Sequence, residues 1–165
     1  MKVTWRPFFL RPDMPPEGKP KGPGPRVGDR LRQAGLSAGI DFTGKTDRAP
    51  NSTEAHTLLD WTLEKHGAEK QHQLQEVLFR HYFTDGRYPD AANLRSAAEE
   101  VGLDGTAAEA ALGDTMRQGT VRQEGLSYSQ QGVSGVPFFV IGGQPAFSGA
   151  QPPAVFVDEL RRAAK

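Results

Sequence analysis

The stretch "GVSGVPFFVIGG", residues 132–143, decides the fold, because it places a proline immediately before a run of apolar residues. The run "FFVI" predicts a short buried strand at 137–142, and the glycine pair at its end is typical of a two-residue β-hairpin turn. A second strand at about 145–148 completes the predicted hairpin. Proline has no N–H to donate to a strand ladder, so Pro137 suits the first residue of a strand.

The segments on either side of this hairpin predict a mixed α/β chain. "VTWRPFF" at 3–9 is rich in β-branched and aromatic residues and predicts a strand, whereas the Pro- and Gly-rich residues 11–28 predict an extended connector. From Asn51 onward apolar residues recur with helical spacing, which predicts helices. Asn51 and Glu54 suggest a capping box at the start of the first helix, and Gly67 predicts a break in it. We divide the chain into an initial strand and connector, a helical insertion, and a final loop, hairpin and helix: residues 1–50, 51–131 and 132–165.

Composition limits the classes of function. The chain has 165 residues, equal numbers of basic and acidic side chains and no cysteine. A net charge of zero gives no global field for nucleic acid, so we expect no nucleic-acid partner. No apolar run approaches the roughly 20 residues that span a bilayer, so we expect no membrane partner and a cytoplasmic location. Without cysteine there are no disulfides and no thiolate ligands.

No metal or catalytic cluster is evident. The four histidines lack the spacing of a metal site, and neither Ser52 nor Ser134 forms an identifiable local catalytic motif with a histidine. His81 lies in the apolar stripe of its helix, which favours a buried histidine that donates a hydrogen bond to a carbonyl. We therefore predict no catalytic residue and no metal ligand.

Three stretches together resemble a known family. "SGVPFFVIGGQPAFSGAQPPAVFVDEL" at 134–160, "WRPFFLRPDMPPEG" at 5–18 and "NSTEAHTLL" at 51–59 are similar to the FrnE-like branch of the DsbA family, thioredoxin-fold disulfide oxidoreductases with a helical insertion. The resemblance covers nearly the whole chain. It implies an α/β, thioredoxin-like fold with a helical insertion domain.

The resemblance also implies a binding face. The bond between Val136 and Pro137 would be cis, in a loop that faces the active site and leaves the Val136 N–H and C=O free for an extended substrate. Gly135, Val136 and Pro137 are therefore the expected substrate-binding residues, together with His56, whose segment "AHTLL" resembles one that packs toward that face. The implied ligands are peptides or small thiol compounds.

The chain departs from the family in one respect. The family's usual opening is a strand and a helix that begins with Cys-x-x-Cys, and neither matches any residue here, so we expect a fold that is incomplete at its N-terminus and without redox activity. One alternative is a kappa-class glutathione transferase or isomerase-like enzyme with glutathione as its cofactor. Another is a fragment of a full disulfide oxidoreductase. Because the missing strand would expose two sheet edges, we also expect either a homodimer through the sheet or direct pairing of 3–9 with 137–142.

Overall fold

The computed structural model describes residues 1–164 and contains six α-helices and two small sheets. The helices are, in chain order, α1 Asp29–Ser37, α2 Thr53–Phe79, α3 Ala91–Glu100, α4 Gly105–Leu112, α5 Thr115–Gln130 and α6 Pro153–Ala163. The strands are β1 Lys19–Pro20, β2 Arg48–Ala49, β3 Phe138–Ile141 and β4 Gln144–Ser148. The mixed α/β class predicted from the sequence is confirmed.

Helix α2 is long and kinked, and it organises the helical region. Its backbone leaves helical geometry at Gly67, whose φ of 84° is left-handed, so the break predicted there is confirmed. The helix begins at Thr53, because the Asn51 side chain accepts a hydrogen bond from the Thr53 N–H at 3.0 Å. The N-cap residue is Ser52, whose side chain makes no capping hydrogen bond, so the capping box predicted at Asn51 and Glu54 was wrong. A π-helical turn, Arg80–Asp85, continues the helix.

The core lies among α2, α3, α4 and α5. Leu58, Leu74 and Leu94 are fully buried there, and small residues of α3 and α4 let these helices approach closely. Asp90, Asp104 and Asp114 each cap the helix that follows, with the side chain accepting a backbone N–H. The buried cluster comprises Leu58, Leu59, Trp61, Leu74, Leu94, Ala97, Ala98, Leu103, Ala108, Ala111 and Leu112.

The C-terminal hairpin forms as the sequence predicts. Strands β3 and β4 pair antiparallel, with Ile141 opposite Gln144 across a turn of two glycines that both have positive φ. Phe139, Phe147 and Phe156 meet in pairs with ring centroids 4.8–4.9 Å apart, which fixes α6 against the hairpin. None of the described residues from 137 onward is buried, so the predicted burial of the strand at 137–142 was wrong: the hairpin packs only against α6.

Residues 3–9 do not form the predicted strand, and this prediction was wrong. The backbone of this segment forms hydrogen bonds with a side chain of α2 instead of with a neighbouring strand. The direct pairing of 3–9 with 137–142 is also absent, because β3 pairs with β4 alone within the part of the chain that the structure describes. The connector is an irregular segment as expected, apart from the two-residue ladder in which Lys19 lies opposite Ala49.

Candidate functional site

The loop between α5 and β3 presents the three residues that the sequence singled out. Gly132 ends α5 with a φ of 95°, and the chain then reaches Gly135, Val136 and Pro137 before β3 begins. The Val136–Pro137 peptide bond is cis. Gly135 is half-buried, whereas Pro137 is exposed and Val136 keeps 45% of its surface in solvent. The loop therefore faces outward.

The hydrogen bonds of this loop leave one peptide group open. The Gly149 N–H donates to the Pro137 carbonyl at 2.8 Å, which fixes the end of the loop beside β4. Among residues 1–164, the Val136 N–H and C=O have no hydrogen-bond partner. A donor and an acceptor on one exposed residue are the groups with which an extended chain pairs at a sheet edge.

His56 lies on the first turn of α2, beneath the N-terminal segment. Its ring meets the Phe9 ring edge to face, with centroids 5.3 Å apart. Burial disfavours the imidazolium and lowers the pKa of His56 to about 4, and the nearby Phe8 carbonyl opposes this shift only in part. His56 is therefore neutral at pH 7.

His56 contacts the N-terminal segment. A small cavity beside the histidine is lined by Trp5, Arg6, Pro7, Leu59 and Asp60. Within residues 1–164, no side-chain hydrogen bond or ring contact joins His56 to residues 135–137. Its role in substrate binding stays a prediction, as does that of the loop.

Sequence reasoning missed Gln71, which is fully buried on α2. Its Oε1 accepts the Trp5 N–H at 2.9 Å, and its Nε2 donates to the Trp5 carbonyl at 2.9 Å and to the Leu59 carbonyl at 3.2 Å. One side chain thus satisfies both backbone groups of Trp5, as a neighbouring strand would. The signal in the sequence was a polar residue three positions before Leu74, within an apolar helical stripe.

Residues 5–9, which we call the strap, make further contacts with the helices. The Trp5 indole N–H donates to Nδ1 of His72 at 3.1 Å, and Arg6 pairs with Glu124 of α5 at 3.5 Å. Phe9 is buried against Gly125, where an added Cβ would lie 2.5 Å from the phenyl ring. The strap is therefore anchored at both ends.

His81 is buried as expected, but its partner differs from the prediction. Its Nε2 lies 3.0 Å from a carboxylate oxygen of Glu100, and Glu100 also pairs with Arg80. The histidine thus joins the π-helical turn to α3. In the described part of the chain, no three His, Asp or Glu side chains are grouped as metal ligands would be.

The comparison with protein families decides the lineage. The DsbA-like thioredoxin domain matches residues 1–161. The chain belongs to the DsbA-like thioredoxin family. The resemblance seen in the sequence is confirmed at the level of this family, and the thioredoxin-like fold is confirmed with it.

Two relatives accompany this match. The uncharacterized protein YwbO of Bacillus subtilis is 30% identical over 149 residues, which are 86% of this chain and 72% of that protein. The crystal structure of a probable DsbA oxidoreductase from Streptomyces coelicolor is similar with a TM-score of 0.71 and 30% identity. The match covers 82% of this chain and 58% of the crystallised chain, so this chain spans less than two thirds of the length of that structural relative.

None of the helices of residues 1–164 is long and apolar enough to cross a membrane.

Proposed function

We propose that residues 135–137 bind the main chain of an extended peptide, or a small thiol compound, on the face of a DsbA-family thioredoxin fold. The observation that supports this proposal is the Val136 peptide group, which is exposed and has no hydrogen-bond partner among residues 1–164. A ligand backbone gains two hydrogen bonds there without displacing any from the protein. Recognition of this kind depends on main-chain atoms and tolerates many side chains.

The binding test removes one hydrogen-bond donor, the backbone N–H of Val136. Val136→Pro deletes the N–H, and Val136→Ala keeps it while shortening the side chain. We expect a cysteine-containing peptide or glutathione, titrated by calorimetry, to bind the parent chain and Val136→Ala with similar affinity. Loss of one hydrogen bond of about 1 kcal/mol should weaken binding to Val136→Pro about fivefold or more. Equal affinity for the two variants would contradict the proposal.

We further propose that the chain, taken by itself, does not catalyse thiol–disulfide exchange. Exchange proceeds through a mixed disulfide with a cysteine thiolate, and the chain has no cysteine. Insulin reduction by dithiothreitol should therefore proceed at the protein-free rate. A clear acceleration by the purified chain would contradict this statement, while leaving the binding proposal open to its own test.

The transferase alternative has a separate readout. A kappa-class-like enzyme would join glutathione to an electrophile such as chlorodinitrobenzene, whereas a binding face without a catalytic group would not. We expect no conjugation above the background rate. Conjugation that is lost in Val136→Pro would favour the transferase alternative.

Three further expectations remain proposals. Strand β3 has β4 on one side, and we propose that its other edge pairs with a second copy of the chain to form a homodimer. Light scattering at micromolar concentration tests this, and a monomeric mass would contradict it.

Membership of the FrnE-like branch and a cytoplasmic location also stay predictions, and fractionation of the source cells checks the location.

A further inference from the structure

One polar atom in the π-helical turn is buried without a protein partner. His81 keeps only 4% of its surface in solvent. Its Nε2 lies 3.0 Å from a carboxylate oxygen of Glu100, but its Nδ1 has no hydrogen-bond partner among residues 1–164. Buried polar atoms of proteins are almost always hydrogen-bonded, because an atom that loses water and gains no other bond destabilises the fold. Nδ1 of His81 therefore marks a place where a polar ligand is favoured.

His81 also lines a small cavity between the π-helical turn and α3. Arg87, Tyr88, Asn93 and Leu94 form part of the same wall. The cavity has a volume of about 10 Å³, which is at the lower limit for one water molecule and excludes a larger ligand. None of the described residues on the wall is acidic, so a metal cation would find no anionic oxygen ligand there.

We propose that this cavity binds one ordered water molecule, which pairs with Nδ1 of His81 and with Oδ1 of Asn93 and so joins the π-helical turn to α3. A water molecule both donates and accepts hydrogen bonds, so it satisfies Nδ1 whether or not that nitrogen carries a hydrogen. Nδ2 of Asn93 donates to the Tyr88 carbonyl at 2.9 Å, which leaves Oδ1 to accept from the water. Two bonds of this kind are enough to hold a buried water molecule.

The Tyr88 hydroxyl is the other buried side-chain atom that lacks a hydrogen bond within residues 1–164. It lies against Gly18, where an added Cβ would be 2.5 Å from the hydroxyl oxygen. Gly18 is not on the cavity wall. The proposed water therefore depends on His81 and Asn93 and not on this hydroxyl.

The proposed water lies at a turn that also holds the segment before α2. The Tyr82 carbonyl accepts a hydrogen bond from the Thr46 hydroxyl at 2.7 Å. The Thr84 carbonyl accepts one from the Thr43 hydroxyl, also at 2.7 Å. A water bound to His81 adds a second link from this turn to α3, beside the contact that Nε2 already makes.

Cross-relaxation between water and leucine methyl groups, measured by NMR on the full ¹³C-labelled chain, tests the site. Leu94 lines the cavity and is fully buried, so bulk water does not reach its methyl groups. We expect a cross-peak between water and a Leu94 methyl group, with opposite signs in NOESY and ROESY spectra, as for a direct contact. Leu74 is the control, because it is also fully buried but does not line the cavity. No cross-peak at Leu94, or equal cross-peaks at both residues, would overturn the proposal.

Two variants test whether Nδ1 of His81 holds the water. In His81→Gln the side-chain amide reaches Glu100 in place of Nε2 and no atom replaces Nδ1, so the cross-peak at Leu94 should be lost. Tyr88→Phe is the matched control, because it removes a hydroxyl from a residue on the same wall and should leave the cross-peak in place. A cross-peak that persists in a folded His81→Gln, or that disappears in Tyr88→Phe, would overturn the role of Nδ1.

A high-resolution crystal structure of the full chain tests the same site without a substitution, and it decides the question if His81→Gln does not fold. We expect density for one water molecule at about 2.7 to 3.2 Å from Nδ1 of His81. A protein group bonded to Nδ1, or no density beside it, would overturn the proposal.

Discussion

The helical region and the C-terminal unit differ in how they bury their apolar side chains. Helices α2 to α5 enclose a core in which Leu58, Leu74 and Leu94 are fully buried. The unit made of β3, β4 and α6 has three phenylalanines in contact, yet none of its described residues is buried, and Val140 is 60% exposed. The helical region thus buries most of its large apolar side chains within itself. The C-terminal unit leaves apolar surface and an open sheet edge beside the loop at 135–137.

This difference separates the part that provides stability from the part proposed to bind. Apolar area removed from water is the main favourable term in folding, so most of the free energy of unfolding should come from α2 to α5. Binding surfaces are drawn from the less stable parts of a protein, where little apolar area is buried. The following predictions test this comparison in order of the expected effect.

Leu58→Ala should have the largest effect. The side chain is fully buried in the helical core, and loss of three carbons there costs about 3 to 4 kcal/mol of unfolding free energy. Urea unfolding followed by circular dichroism measures it. A cost below about 1 kcal/mol would mean that the helical region does not dominate stability.

Gln71→Ala should have a smaller effect that includes the strap. It removes the partners of the Trp5 N–H and C=O, and an unsatisfied group that is partly shielded from water costs about 1 to 3 kcal/mol. Gln75→Ala is the control, because Gln75 is a buried glutamine on the same helix and its side chain makes no hydrogen bond with residues 5–9. The first variant should raise amide exchange at Trp5 and the second should not. Equal exchange at Trp5 in both would show that Gln71 does not hold the strap.

Phe139→Ala should have the smallest effect on global stability. Phe139 contacts Phe147 and Phe156, but all three rings remain partly exposed, so we expect a cost of about 1 kcal/mol. Amide exchange should increase in β3, β4 and α6 and stay unchanged in α3. A loss of stability equal to that of Leu58→Ala would remove the distinction between the two regions.

The sequence predicted the elements whose signals are local. The glycine pair at 142–143 requires positive φ and thereby places the hairpin turn, and Gly67 likewise marks the break in α2. Helical periodicity predicted the helical region that begins near Asn51. These features depend on neighbouring residues alone.

The strand predicted at 3–9 failed because strand formation depends on a partner that local sequence does not specify. The same β-branched and aromatic residues lie instead against α2, where Gln71 supplies the two hydrogen bonds of a strand neighbour. The predicted site residues also differ in how far local sequence can place them. Gly135, Val136 and Pro137 are contiguous and could be proposed together from the sequence, whereas the position of His56 relative to them depends on tertiary packing.

The central claim is that a ligand main chain pairs with Val136, and ¹⁵N chemical-shift mapping tests it most directly. A short cysteine-containing peptide is titrated into the full labelled chain at pH 7. The account predicts the largest, saturable shifts at residues 133–138 and at Gly149, whose N–H donates to the Pro137 carbonyl. Saturable shifts confined to α2 to α5, or none at millimolar peptide, would contradict it.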